Sequence, residues 1–369
     1  MTPSKVFFSD LRATANRNMF AKLKQLLHQA GMDKAVSPRN LVAIKLHFGE
    51  EGTTGFIRPI FIRRIVDRIK ELGGFPFLTD TNTLYRGSRS HSVSHIVTAI
   101  ENGFAYSVVN APIIIADGLR GSSSVKVRID QEMFELVEIG KEIIDANVLI
   151  GVAHFKGHGL TGFAGTIKNI GMGCASRHGK LEQHSDLSPK MNKKRCTGCG
   201  ECAASCAQEA ISVKEEKAGI DPKKCIGCGE CIIICPKSAI GVRWSRDIPI
   251  IQKKMVEYAF GVLKEKEGRA FFINFLTQIS PLCDCNRYTD ASIVPDIGMV
   301  ASTDPVAIDQ ASADMVNQQA GLHGSCLKVN TMPGEDKFRG LYPEIDWGFQ
   351  LDYAQKIGLG TRSYELIEI

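Results

Sequence analysis

Eight cysteines crowd into the stretch between Cys196 and Cys235, in two arrays of identical spacing. Cys196, Cys199, Cys202 and Cys206 form one, and Cys225, Cys228, Cys231 and Cys235 the other. Each array reads Cys-x2-Cys-x2-Cys-x3-Cys. An iron–sulfur cube needs one thiolate per iron, delivered from four directions by a chain wrapped closely around it. Cysteines two residues apart reach adjacent corners, and in this pattern the fourth cysteine crosses to the other cube. The spacing therefore assigns Cys196, Cys199, Cys202 and Cys235 to one 4Fe–4S cluster, and Cys225, Cys228, Cys231 and Cys206 to a second. Gly198, Gly200, Gly227 and Gly229 give the loops room to turn backbone N–H groups toward sulfur. Zinc favours isolated Cys-x2-Cys pairs at longer separation and fits less well.

The arrays are two copies of one unit. Arg195 to Ile211 aligns with Lys224 to Ile240, and the match continues through Val213 and Val242. Such a repeat implies two units packed about a pseudo-twofold axis. The segment resembles bacterial two-cluster ferredoxins, with one departure: Pro236 follows Cys235, but Ala207 follows Cys206. Proline there ligates nothing, so the departure bears on stiffness and potential rather than on loading.

Redox compartment and charge agree with metal. The start, Met1 to Asp10, has no apolar signal core and reads as the beginning of a mature cytoplasmic protein, where clustered thiols mean metal rather than disulfides. The formal net charge is +5, but each oxidised cluster with its four thiolates carries about −2, leaving the loaded protein near neutral. No basic run with interleaved aromatics exists, so nucleic acid is not an expected partner. No apolar run reaches membrane length.

On either side of the arrays, strand-like and helix-like segments alternate. Leu41 to His47, Phe75 to Thr79, Ile113 to Ala116, Val148 to Phe155, Ala270 to Phe275 and Ile293 to Val300 read as strands. Ile57 to Leu72, Val93 to Phe104 and Lys253 to Lys266 carry helical periodicity, and a further helix opens on Asp304-Pro305. The expected fold is α/β, a mostly parallel sheet with flanking helices. A small α+β dicluster insert at residues 190–246 interrupts it, between a first part at 1–189 and a second at 247–369. The stretch after Lys328 has weak periodicity and receives no assignment.

Two clusters in series suggest a relay, so the α/β part should hold its terminus. Lys45 and His47 end a strand, where such folds collect functional groups, and so does Asp80. Ahead of the insert, His154, Lys156, His158, Lys168 and Asn169 lie in a glycine-rich turn suited to an anion or a cofactor phosphate, followed by Lys180 and His184. Gly157, Gly159 and Gly162 match the letters of a dinucleotide fingerprint, although the following glycines suit a helix poorly. Lys168 sits among apolar and glycine residues and needs an anionic partner. After the insert, Cys283 and Cys285 are either reactive thiols or, with Cys174, soft-metal ligands. Asp304 is read as a helix cap, and Asp296 and Asp309 stay unassigned.

Lys45-Leu-His47-Phe-Gly-Glu50, His154-Phe-Lys156-Gly-His158, Ile167-Lys168-Asn169-Ile-Gly-Met-Gly-Cys174, Cys283-Asp-Cys285 and Asp304-Pro-Val-Ala-Ile-Asp309 together resemble the family called domain of unknown function 362. Many of its members carry an inserted ferredoxin module. The resemblance implies an α/β fold and an iron–sulfur protein of prokaryotic, often anaerobic, metabolism, and names no reaction. Leu160 to Lys168 is also similar to a segment of nickel-pincer lactate racemases. The expectation is a redox protein that relays electrons through two 4Fe–4S clusters to Lys45, His47, His154, His158, Lys168, Cys283 and Cys285. A flavin or additional metal could sit near Lys168 and Asn169. Its partners would be a redox protein or a small-molecule substrate. The alternative is an electron carrier or adaptor without chemistry of its own.

Overall fold

The computed structural model describes residues 2–184, 189–206, 208–225, 229–242 and 247–369. Seven strands form one sheet in the order Tyr364–Glu368, Ser4–Asp10, Gly298–Ser302, Ala270–Leu276, Val148–His154, Leu41–Lys45 and Phe75–Thr79. Four of its six pairings are parallel, and Gly298–Ser302 runs antiparallel to both neighbours. The fold is therefore mixed α/β, with a largely parallel central sheet and flanking helices.

The central strands are apolar on both faces because both are covered. Val42, Ile44, Ile150, Val152, Ile273 and Phe275 pack on one side with Leu23, Leu26 and Leu27 of helix Met19–Gln29 and Ile62, Ile65, Val66 and Ile69 of helix Pro59–Glu71. Ala43, Leu149 and Phe272 face the other way, onto Met255, Val256 and Ala259 of helix Ile248–Lys264 and Ile308 and Ala311 of helix Pro305–Asn317. Each fully buried Ile or Leu here contributes roughly 1.5–3 kcal/mol.

Several expectations shift. Ile113–Ala116 makes a single parallel bridge to Leu78 rather than a strand. The strand expected from Ile293 begins at Gly298, and the helix expected from Val93 to Phe104 ends as an α-helix at Ala99 before a short π turn. The unassigned C-terminal stretch supplies helix Gly348–Lys356 and the edge strand Tyr364–Glu368, which pairs parallel with Ser4–Phe8. Asp304 does cap its helix, accepting from the N–H groups of Val306 and Ala307 at 2.8 and 3.0 Å.

The described residues between 189 and 242 contribute no strand to this sheet and form a lobe with its own small core. Ile211 pairs with Ile220, and their repeat equivalents Ile240 and Met191 pair in the same way. Asn192 N–H donates to Ala239 O, while Asp221 N–H donates to Ala210 O, which is the same contact exchanged between the two copies. Short helices Glu201–Ala204 and Glu230–Ile234 both start after a left-handed glycine, Gly200 and Gly229. The two units are thus related by a pseudo-twofold axis, as the repeat requires. Gly227 and Cys228, and Ala207 in the other copy, lie outside the described residues.

Candidate functional site

Carboxyl ends of parallel strands gather functional groups where the strand order reverses. Here the chain runs from Leu41–Lys45 outward to Phe75–Thr79, then returns to place Val148–His154 on the opposite side. Asn169 sits across this switch point: its Nδ2 donates to Lys45 O at 3.1 Å and Val152 O at 3.2 Å. Its Oδ1 accepts from Lys45 Nζ at 2.9 Å. A cavity of about 200 Å³ opens above these ends.

The structure brings Lys45, His47, His158, Lys168, Asn169 and Cys285 together in the wall of that cavity, with Asp80, Lys180 and His184. A wider, open cleft lies at the amino ends of the strands, around Lys5, Lys34 and Glu267, and none of the expected site residues borders it.

Charges in the cavity wall are unequal. Lys45 Nζ lies 3.1 Å from Asp80 Oδ1, and both side chains are buried. Arg89 contacts the same carboxylate at 3.4 Å, Glu50 at 3.2 Å and the Tyr85 hydroxyl at 2.9 Å. Burial opposes ionisation of Asp80, but Lys45 and the surrounding cations hold its carboxyl well below the usual range. Lys180 Nζ donates to Thr81 Oγ1 and to the carbonyls of Asn82 and Ala175, and burial pulls its pKa down to about 8. The histidines are neutral. Burial and Arg89 pull His47 well below its usual value, and burial and Lys168 do the same to His158. His184 falls to about 3 for the same two reasons.

Lys168 finds the anionic partner its surroundings demand: Nζ lies 3.5 Å from Cys283 Sγ. A hydrogen bond from Cys285, then the charges of Lys168 and Lys156, hold Cys283 well below the usual thiol value, while Cys285 is pushed well above it. Cys283 thus stands beside the Lys168 ammonium, and Cys285 faces the cavity.

Other expected site residues have structural employment. His154 does not border the cavity. Its Nδ1 contacts Asp284 at 3.0 Å and its Nε2 contacts Thr277 O at 2.9 Å, so both ring nitrogens are occupied. Gly157, Gly159 and Gly162 belong to a hairpin, Lys156–His158 with Gly162–Ala164, rather than a phosphate turn. A Cβ on Gly157 would meet Pro281 O at 2.3 Å, and Gly162, at φ +76°, lies against Trp347. The helix that follows, Thr166–Gly171, has its first N–H groups taken by Asp309, which accepts from Thr166 and Ile167 at 2.7 and 2.9 Å. These two N–H groups are therefore not free for a phosphate. Cys174 is in the core, its thiol pushed up to about 12 by burial, and does not join Cys283 and Cys285.

Arg89, Tyr85 and Thr81 escaped the sequence reading. They stand on the irregular loop after strand Phe75–Thr79, where no periodicity marks a residue as inward-facing. The available signal was Arg86-Gly-Ser-Arg89, two arginines close behind a strand end.

The same loop reaches the lobe. Leu84 lines the cavity and also packs in the lobe's core. Arg86 Nη1 donates to Cys235 O at 3.0 Å, and Arg177 and Arg120 each hold Glu230 at 2.7 Å. In the lobe, Cys196, Cys199, Cys202 and Cys235 line one shared pocket. Backbone N–H groups of Ala218 and Ala239 point at Cys196 and Cys235 Sγ, at 3.3 and 3.1 Å, and Ala210 N–H points at Cys206 Sγ at 3.3 Å. Among the described residues, no three His, Cys, Asp or Glu side chains converge as on a single metal ion. No described helix is long and apolar enough to cross a membrane.

The chain is 25% identical over 182 residues to a thylakoid-associated protein of Synechocystis, covering 48% of this chain and about half, 52%, of that protein. Two solved structures are similar at low level. The lactate racemase apoprotein of Thermoanaerobacterium thermosaccharolyticum gives a TM-score of 0.44 at 12% identity, over 86% of this chain and 58% of that one. A Thermotoga maritima protein gives 0.41 at 9% identity, over 91% and 59%. The family described as Domain of unknown function (DUF362) matches residues 42–314, which takes in every cavity residue named above. On that match, the chain belongs to the DUF362 family.

Proposed function

We propose that this chain is an iron–sulfur redox protein that relays electrons through two 4Fe–4S clusters to the cavity at the strand ends, where it acts as an oxidoreductase. One observation carries the proposal. A single loop, residues 81–89, lines that cavity and also touches the lobe in which Cys196, Cys199, Cys202 and Cys235 share a pocket.

The donor set fits the group. Three cysteines from the first array and one from the second line one pocket, which supports the crossed pattern. Cube ligands each take a separate iron, so they stand further apart than ligands of one ion. Cys206, Cys225, Cys228 and Cys231 would hold the second cluster. Bound clusters supply one-electron transfer. The chain's own part is to stabilise thiolate charge through the N–H groups of Ala210, Ala218 and Ala239 and to shield the pocket with Met191 and Ile240.

At the cavity, Lys168 stands beside the Cys283 sulfur, and the neutral imidazole of His158 and the ammonium of Lys180 are placed to hold or release a proton. His158 Nδ1 is engaged by Leu160 N–H at 3.3 Å and the Thr161 hydroxyl at 2.9 Å, which leaves Nε2 for a substrate. A bare electron carrier has no use for such buried titratable groups, which favours the enzyme.

Purification without oxygen should give brown protein with about eight irons and eight acid-labile sulfides per chain. Lys168→Ala should keep that content. Colourless protein with fewer than about two irons per chain would end the proposal.

A further inference from the structure

We propose that the cavity is a receptor for a compact oxyanion, a carboxylate or phosphate-type group, which Lys168 and Lys180 hold. As a statement of substrate class, this rests on the cavity being where the electrons are delivered. The binding itself can be tested without electron transfer.

The case is an imbalance of charge. Four permanent or near-permanent cations line the cavity, Lys45, Arg89, Lys168 and Lys180, against one carboxylate, Asp80. Lys45 and Arg89 share Asp80, and Arg89 also has Glu50 behind it. Neither remaining lysine has a carboxylate within ion-pair distance among the described residues. Lys180 rests on a hydroxyl and two carbonyls, and Lys168 on a single sulfur. With Glu50 behind Arg89 and the Cys283 sulfur beside Lys168 counted in, the wall still carries an excess of positive charge, centred on Lys180, and an arriving anion removes the cost of enclosing it.

The alternatives fit worse. A metal cation at Cys283 and Cys285 would sit beside the Lys168 ammonium, which already lies 3.5 Å from Cys283 Sγ. A neutral ligand would leave Lys180 unmatched. The uncharged groups around them, His158, Asn169 and Tyr85, can orient an oxyanion's other atoms by hydrogen bonding without changing the charge count.

The test is isothermal titration of the anaerobically purified full chain with sodium phosphate, sodium acetate and, as a neutral isostere, acetamide. At least one anion should bind saturably at one site, acetamide should not, and added KCl should weaken the binding. Phosphate alone, or acetate alone, identifies which oxyanion the site prefers. Lys168→Met and Lys180→Met, each checked for an unchanged melting profile, should weaken binding by about tenfold or more. Should one variant not fold, the other and the salt dependence of the wild type still decide. No saturable binding of either anion, binding of acetamide as tight as acetate, or unchanged affinity in every folded variant would overturn the proposal. Iron measured on the same sample separates the two claims: colourless protein that binds an anion sinks only the relay, and brown protein that binds none sinks only the receptor.

Discussion

Pairing Cys196→Ala with Cys235→Ala in one chain should leave about four irons, whereas pairing Cys225→Ala with Cys235→Ala should leave almost none. The reason is the crossing of the arrays. Cys235 belongs by sequence to the second array, yet it lines the pocket of Cys196, Cys199 and Cys202. Removing Cys196 and Cys235 therefore takes two ligands from one cube and none from the other. Removing Cys225 and Cys235 takes one from each, and both cubes lose an anchor. If each array instead held its own cube, the outcomes would be reversed: the first double variant would lose both clusters and the second only one. Iron and labile-sulfide analysis of anaerobic protein reads the difference directly, and the factor between the two variants is large.

Arg89→Met should destabilise the α/β body by about 3–5 kcal/mol in urea unfolding, the range for stranding a buried charge. Arg89 is the hub of the cavity floor. Its guanidinium lies 3.2 Å from Glu50 and 3.4 Å from Asp80, and all three side chains are almost fully buried. Asp80 keeps Lys45 when Arg89 is lost. Among the described residues, Glu50 keeps only the backbone N–H and hydroxyl of Ser88, too little to compensate a buried carboxylate. Adding Glu50→Met should then recover at least half of the loss, because the stranded charge disappears with it. A loss under about 1 kcal/mol in Arg89→Met would mean that water reaches this floor.

The fold was legible where periodicity was strong. Phe75–Thr79 is found with the bounds the sequence implies, and helix Pro59–Glu71 lies within the segment read as helical from Ile60, Phe61, Ile65, Ile69 and Leu72. Ser4–Asp10 was not legible, because a seven-residue strand with Ser and Asp at its ends carries little alternation. Nor was Tyr364–Glu368, an edge strand whose side chains stay partly or fully exposed. The site was half legible. Lys45 and Asn169 could be suspected singly, but their contact spans 124 positions and depends on the strand order. His154 had the chemistry of a site residue, and only the fold shows Asp284 and Thr277 using both its nitrogens. Asp309 was ambiguous for a related reason: it caps a helix 142 residues earlier in the chain, which no local pattern encodes. Arg89 is the reverse case, a residue whose one local signal is a second arginine close behind a strand end, and which the tertiary fold turns into the centre of the cavity floor.

The claim on which the rest depends is that the lobe's thiolates hold a pair of redox-active cubes beside the cavity. Low-temperature electron paramagnetic resonance of the dithionite-reduced, anaerobically purified chain tests it most directly. The expected result is about two unpaired spins per chain, with the magnetic interaction of two neighbouring clusters. A spectrum without cluster signals, from folded protein prepared with iron and sulfide present, would contradict it.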